Sequence, residues 1–246
     1  MKYSTHLIIG AGVVGKATGK FLEAHGQTVW YNDIDKTKLQ DCQRISYSKT
    51  GYSFYWICTH EKDVEEALDG LPKDGNIIVR STIKPNDIEK YEYLFGFKHI
   101  AHIPEFLTEA NAIDDEFKID RFIIGTTDVE YGEYIGFFLS TMKDNIYICT
   151  SQASSLIKLT ANAWLSTQIS FWNDMYELYG KYDVQKQYIA DAVAKDERIS
   201  TYGNKMIHKP FGGMCLPKDI NTLINISQPD LPFITLRSVR ATNDRL

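Results

Sequence analysis

The sequence predicts an α/β protein in two parts. Residues 1–150 should form a doubly wound, mostly parallel sheet, and residues 151–246 an all-helical part built on one long central helix. Three observations carry this. Short apolar, β-branched and aromatic runs alternate with helical patterns through the first 150 residues. A glycine-rich turn joins the first such run to the first helix. From Ser154 to Tyr179 the chain then lacks both proline and glycine.

The first unit begins with "THLIIG", a short buried strand. Gly10, Gly12 and Gly15 follow in GxGxxG spacing, with Val13 and Val14 between the second and third. Val14, Ala17, Phe21 and Leu22 share roughly one helical face, and Gly26 closes the helix. "TVWYND" is a second strand ending in Asp33. In such a unit the first glycine permits the tight turn, the second admits a pyrophosphate to the backbone, and the third lets helix and strand pack closely. The helix N-terminus offers unpaired N–H groups and partial positive charge to the phosphates. Asp33 can accept the ribose hydroxyls and would repel a 2′-phosphate, which favours NAD over NADP. The motif in this strand–turn–helix–strand context predicts a Rossmann-like NAD-binding domain.

Further strands are read in "YSFYWICT", "GNIIVRST", "FKHIAHIPEF", "RFIIGT" and "NIYICT", with "EKDVEEALDG" as an intervening helix. Ligands of such sheets sit at the C-terminal strand ends, where Thr59, Thr82 and Glu105 fall. In the long helix, Leu156, Leu159, Ala163, Ile169, Trp172, Met175 and Leu178 recur at three and four, and Lys158 and Asn162 project from one face. Leu156, Trp164, Phe171, Trp172 and Met175 do not share one stripe, so the helix needs burial on more than one side. A homodimer through residues 154–179 is expected. "VQKQYIADAVAKD", "DINTLINIS" and "PFITLRSVRATNDRL" are read as further helices.

With 43% hydrophobic and 24% charged residues, the composition is that of a globular protein. The net charge of −5 argues against a nucleic-acid partner. The absence of a long apolar run argues against a membrane span, and the N-terminus does not read as a signal peptide, so the cytoplasm is expected. Cys42, Cys58, Cys149 and Cys215 form no CxxC pair, so they are expected to be thiols and no metal site is expected. Cys42, Cys58 and Cys149 suit buried fillers. Cys215, between Gly212-Gly213 and Lys218-Asp219, suits a nucleophile in a local positive field, with a small buried hydrophobe as the alternative.

In order along the chain, "GAGVVG", Asp33, "STIKP", "PEFLTEA", "RFIIG", "IKLTANAWLSTQISFWND", "DERI" and "FGGMCLPKD" resemble the nucleotide-sugar dehydrogenases, the family of UDP-glucose and GDP-mannose 6-dehydrogenases. Three features depart from that pattern. Ser155 stands where the family has glutamate, Asn86-Asp87 follows "STIKP" where it tends to have glycine, and "VRATNDRL" stands where a further domain, which forms much of the base pocket, would follow. The resemblance implies NAD-dependent four-electron oxidation of a sugar-nucleotide primary alcohol to the uronic acid, through a thiohemiacetal and a thioester on Cys215. It implies that Lys158 and Asn162 stabilise the oxyanion, that Asp219 and Thr82 hold a water or hydroxyl, and that Glu105 activates water. It adds Thr59, Thr82, Glu109 and Lys218 to the cofactor site, and Glu105, Phe106, Leu107, Lys158, Asn162, Arg198, Phe211, Gly212 and Gly213 to the substrate site. Simpler readings stand beside these: a helix N-cap for Asp219, a strand-end cap for Thr82, a helix-surface pair for Lys158 and Asn162, an exposed loop acid for Glu109 and a surface arginine for Arg198. Without the further domain, nucleotide-sugar binding is expected to be weak, and a smaller sugar phosphate is the alternative substrate. The alternative function is a truncated NAD-binding assembly protein, either non-catalytic or dependent on a separate chain to complete it. A 3-hydroxyacid dehydrogenase would not need Cys215.

Overall fold

Runs rich in Ile, Val, Phe, Tyr and Trp fill seven strands, and the sheet they form is apolar on both faces. In the computed structural model, which describes residues 4–206, 208–226 and 231–246, the order is β1 (Thr5–Ile9), α1 (Val13–Ala24), β2 (Thr28–Asn32), β3 (Phe54–Ile57), α2 (Val64–Leu68), β4 (Asn76–Val79), α3 (Asp87–Phe95), β5 (His99–His102), α4 (Ala112–Lys118), β6 (Arg121–Thr126), α5 (Val129–Leu139) and β7 (Asn145–Thr150). The strands lie in the order β2-β1-β3-β4-β5-β6-β7. All neighbours are parallel except β5 and β6, which meet antiparallel at His102 and Gly125.

Alternation along the strands divides the core. Ile8, Trp56, Ile78 and Ala101 face one layer with Phe21, Leu22 and Phe138. Leu7, Ile9, Tyr55, Ile57, Ile77, Val79 and Ile100 face the other with Leu68, Ile88 and Tyr91. A parallel sheet covered on both faces requires such near-continuous apolar strands, and each large side chain so buried contributes ~1.5–3 kcal/mol. Among the described residues no helix is long and apolar enough to cross a membrane.

The chain divides into two compact units, Met1–Lys158 and Leu159–Leu246. Helix α6 (Ser151–Tyr179) runs through the division, and α7 (Lys186–Val193), α8 (Leu216–Ile226) and α9 (Ile234–Arg245) follow. The second unit has small apolar clusters: Ile169, Phe211, Ile220, Ile224 and Val239; Leu159, Ala163 and Leu223; Trp172, Tyr176 and Ala190. One expectation is corrected here, the start of α8. The apolar residues of α6 cover more than one face, and Leu156 and Leu178 are exposed. Among the exposed ones, Ile157, Trp164, Phe171 and Leu178 recur every seven residues and form one stripe, with Leu156 beside it, whereas Trp172 is buried within the second unit. Helix α8 starts at Leu216, three residues before the expected Asp219, with Pro217 in the first turn, where its missing N–H costs nothing. Ser227, the expected end of that helix, lies outside the described residues.

Two histidines buried in the sheet are held neutral, with no room for a second ring proton. Trp56 Nε1 donates to His6 Nδ1 at 3.0 Å, so the ring proton resides on Nε2. That nitrogen donates to Ser4 Oγ at 2.7 Å, and Ser4 Oγ donates to Gln27 Oε1 at 2.7 Å. Burial holds His6 down at about 4, against a weaker upward pull from Gln27. Burial likewise takes His102 to about 3, opposed by a backbone hydrogen bond at Ser81 and assisted by the nearby Lys158 and Arg80 charges. Both folded values lie below the ordinary 6.5, so the unfolded chain takes up the protons first. Their stabilisation is fully present above pH 6.5 and is lost as pH falls towards 4 and 3. Urea unfolding between about pH 7.5 and 4 should show each histidine removing about 1.4 kcal/mol per pH unit within that window. A stability that stays level down to about pH 4.5 would contradict the neutral, buried imidazoles.

Candidate active site

In the first unit the glycine turn is set by contact. Gly10 has φ +96°, and a Cβ there would lie 2.7 Å from the Cys58 carbonyl oxygen. A Cβ on Gly15 would lie 1.9 Å from the Gly10 carbonyl oxygen, so helix and strand approach backbone to backbone. Gly12, at the N-cap of α1, faces open space, and no side chain caps the helix. The first-turn N–H groups are left for an outside acceptor. Val13 is exposed beside them and Val14 packs against the core. Asp33 Oδ2 accepts the Ala11 N–H at 2.8 Å and Oδ1 accepts the Asp35 N–H at 2.8 Å, fixing the carboxylate at the end of β2. Lys38 Nζ stands 4.0 Å from it. Thr59 Oγ1, at the exit of β3, is buried without a protein partner. Thr82 is half-buried after β4.

At the exit of β5 stands a buried ion pair. Lys158, 3% exposed, donates from Nζ to Glu105 Oε1 at 2.9 Å. Glu105 Oε2 accepts the Leu107 N–H at 2.6 Å. The ammonium also lies 5.4 Å from the centre of the Phe106 ring, which Arg121 approaches at 5.2 Å. The reading of Lys158 as a surface lysine is thereby overturned. A second tie joins the same segments: His102 Nδ1 pairs with Ser154 Oγ at 2.8 Å. Gly125 allows this approach, since a Cβ there would lie 1.9 Å from Ser154 Oγ. Neither Ser154 nor His102 stands out in the sequence, because only the fold brings them together.

In the second unit Cys215 is exposed immediately before α8, and its carbonyl accepts the Asp219 N–H at 2.9 Å. The cysteine therefore heads the helix, in the positive end of its dipole, and the buried-filler reading of Cys215 falls. Asp219 is 0% exposed and lies inside the first turn, so it is not the N-cap. Asn162 Nδ2 donates to Asp219 Oδ2 at 2.5 Å, and Lys218 Nζ donates to Oδ1 at 2.5 Å. Asn162 is likewise buried rather than on the helix surface. Gly212 faces open space and Gly213 has φ +73°, giving the turn between buried Phe211 and Cys215. Among the described residues no cluster of metal-ligating side chains occurs, and no disulfide joins the four cysteines. Burial pushes the Cys58 thiol up to about 12. Cys42 and Cys149 are half-buried rather than core fillers. Two predicted site residues stand outside these clusters: Glu109 is exposed in a single 3-10 turn, and Arg198 is held at the surface by Asp196 at 2.5 Å.

Residues 152–245 match the central domain of the UDP-glucose/GDP-mannose dehydrogenase family. A UDP-glucose 6-dehydrogenase of Rickettsia bellii is 33% identical over 89% of this chain, and the chain spans 61% of that relative's length. Among solved structures, a UDP-glucose dehydrogenase from Pyrobaculum islandicum superposes with a TM-score of 0.88 at 21% identity, over 99% of this chain and 68% of that one. A 3-hydroxyisobutyrate dehydrogenase from Mycobacterium tuberculosis superposes with a TM-score of 0.79 at 16% identity, over 99% of this chain and 93% of that one. Likeness at these identities shows the fold.

The Glu105–Lys158 pair generates a stability test. Removing one member of a buried pair strands the other charge, which costs roughly 3–5 kcal/mol. Lys158→Met should lose that much in urea unfolding, and adding Glu105→Leu should restore most of it. A single variant as stable as the parent would mean that the pair is solvated.

Proposed function

We propose that this chain, which carries the central domain of the UDP-glucose/GDP-mannose dehydrogenase family, is an NAD-dependent dehydrogenase that oxidises the primary alcohol of a nucleotide sugar to the carboxylate. The supporting observation is the exposed Cys215 at the head of α8, above a buried Asp219 held by Asn162 and Lys218. A structural thiol has no need of a buried, doubly held carboxylate one helical turn away.

The first unit fits a dinucleotide: an uncapped helix N-terminus, open space before Gly12, a fixed Asp33 and the unpartnered Thr59 hydroxyl. In this reading Gly10, Gly12, Val13, Val14, Gly15, Asp33, Thr59 and Thr82 hold NAD. Glu109 and Lys218 are weaker candidates, given the exposure of one and the engagement of the other with Asp219. Bound NAD supplies the hydride acceptor for each of two oxidations. The remaining work belongs to this chain. Asp219 and Thr82 hold the substrate hydroxyl or a water for proton removal. The thiolate of Cys215 adds to the aldehyde carbon and forms a thiohemiacetal, whose oxidation leaves a thioester. Lys158 and Asn162 stabilise the negative oxygen in these steps. Glu105 takes a proton from the water that attacks the thioester, releasing the acid and restoring the thiol. Phe106, Leu107, Gly212 and Gly213 line the sugar, buried Phe211 fixes the start of the loop that carries the glycines, and Arg198 serves a phosphate once freed from Asp196. Four cysteines without a disulfide suit a reducing compartment, the cytoplasm.

NADH formation from a panel of UDP- and GDP-sugars tests this reading. Two NADH per substrate are expected, and Cys215→Ser should lower acid formation by about 10²-fold or more, since a serine without a strong base is a poor nucleophile. Acid made by that variant at the parent rate would make Cys215 structural.

The proposed assembly is a homodimer through α6. Ile157, Trp164, Phe171 and Leu178 present an apolar stripe with the seven-residue spacing of a helix–helix seam. A two-fold axis pairs such a stripe with itself. Light scattering at micromolar concentration should give a dimer, and Trp164→Glu with Phe171→Glu a monomer. A monomeric parent would overturn the assignment.

A further inference from the structure

The structure assigns to Asn243, on α9, the task of setting the cysteine loop, an inference that rests on the reading of Cys215 as the nucleophile. Its side-chain amide pairs with the backbone of one residue in both directions: Oδ1 accepts the Phe211 N–H at 2.6 Å, and Nδ2 donates to the Phe211 carbonyl at 3.1 Å. An amide that satisfies both groups of a residue fixes position and orientation together. A single hydrogen bond would leave rotation free.

The place held is the one that matters. Phe211 is 1% exposed, packed with Ile169, Ile220 and Val239. On its N-terminal side, Asn173 Nδ2 donates to the Lys209 carbonyl at 3.0 Å. Downstream lie only Gly212, Gly213 and Met214 before Cys215, which immediately precedes α8. Gly212 and Gly213 face open space where a side chain would stand. The path of the exposed turn is therefore set at its two ends, by Phe211 and by the first turn of α8, and Asn243 holds the first. Helix α9 is itself anchored: Arg240 reaches Asn221 of α8, and Arg245 bridges Asp174 at 2.8 Å and Glu177 at 2.6 Å on α6. Asn243 thus acts as a positioning residue that makes Cys215 chemistry depend on α9.

The test uses Asn243→Ala and Asn243→Asp in the full chain, with two readouts. Amide hydrogen exchange at Phe211 and Gly212 reports whether the loop is held. Alkylation of Cys215 by iodoacetamide at fixed pH, resolved by mass spectrometry and referred to the same thiol in the urea-unfolded chain, reports reactivity. In Asn243→Ala, exchange should rise by about tenfold or more and the alkylation rate should move about tenfold towards the unfolded-chain value, the scale of one lost hydrogen-bonded pairing. Asn243→Asp keeps an acceptor for the Phe211 N–H and loses the donor to its carbonyl, so it should fall between. It also carries the test if the alanine variant does not fold. Parent-like exchange and alkylation in a folded variant overturn the proposal. If the parent Cys215 is no faster than the unfolded thiol, the nucleophile reading fails instead, and exchange alone decides the role of Asn243.

Discussion

The ion pair between Glu105 and Lys158 is the constraint on which the first unit closes. Both charges are buried, and burying either alone costs several kcal/mol. The β5 exit and the first turns of α6 must therefore come together in one register. The Ser154–His102 pair and the bare Cα of Gly125 let them do so. Within the second unit, α6 supplies Leu159, Ala163, Ile169 and Trp172 to the apolar clusters.

The two buried carboxylates follow one plan. Glu105 is held by a lysine and a backbone N–H, and Asp219 by a lysine and a side-chain amide. Each oxygen has a donor, so neither group can swing without losing a charge-assisted hydrogen bond. Such preorganisation suits groups that must meet a developing charge without rearranging.

Much of this is legible in the sequence because it is local. The GxGxxG spacing, the apolar runs of β1, β3 and β4 and the unbroken pattern of α6 each depend on neighbours along the chain. The differences fall where the partner is remote. A three-and-four pattern marks Leu156 and Leu178 as apolar helix positions without saying which face meets the core. The start of α8 is expected at Asp219, three residues late, because a first-turn position tolerates a proline, here Pro217. His6, Ser154 and Asn243 are ordinary residues in the sequence. Their roles come from Trp56, His102 and Phe211, brought close only by the fold.

The exposure of Cys215 has a second consequence, in redox chemistry. An accessible thiol meets peroxide as readily as it meets an aldehyde, and oxidation proceeds from sulfenic to irreversible sulfinic and sulfonic acids. The other cysteines are more sheltered: Cys58 is buried in the core, and burial also raises the Cys42 and Cys149 thiols. Cysteine oxidation in this protein should therefore be concentrated at one thiol. Because that sulfur stands outside the packed clusters, the folded chain would outlast its oxidation, and a stability assay would not distinguish oxidised molecules from sound ones.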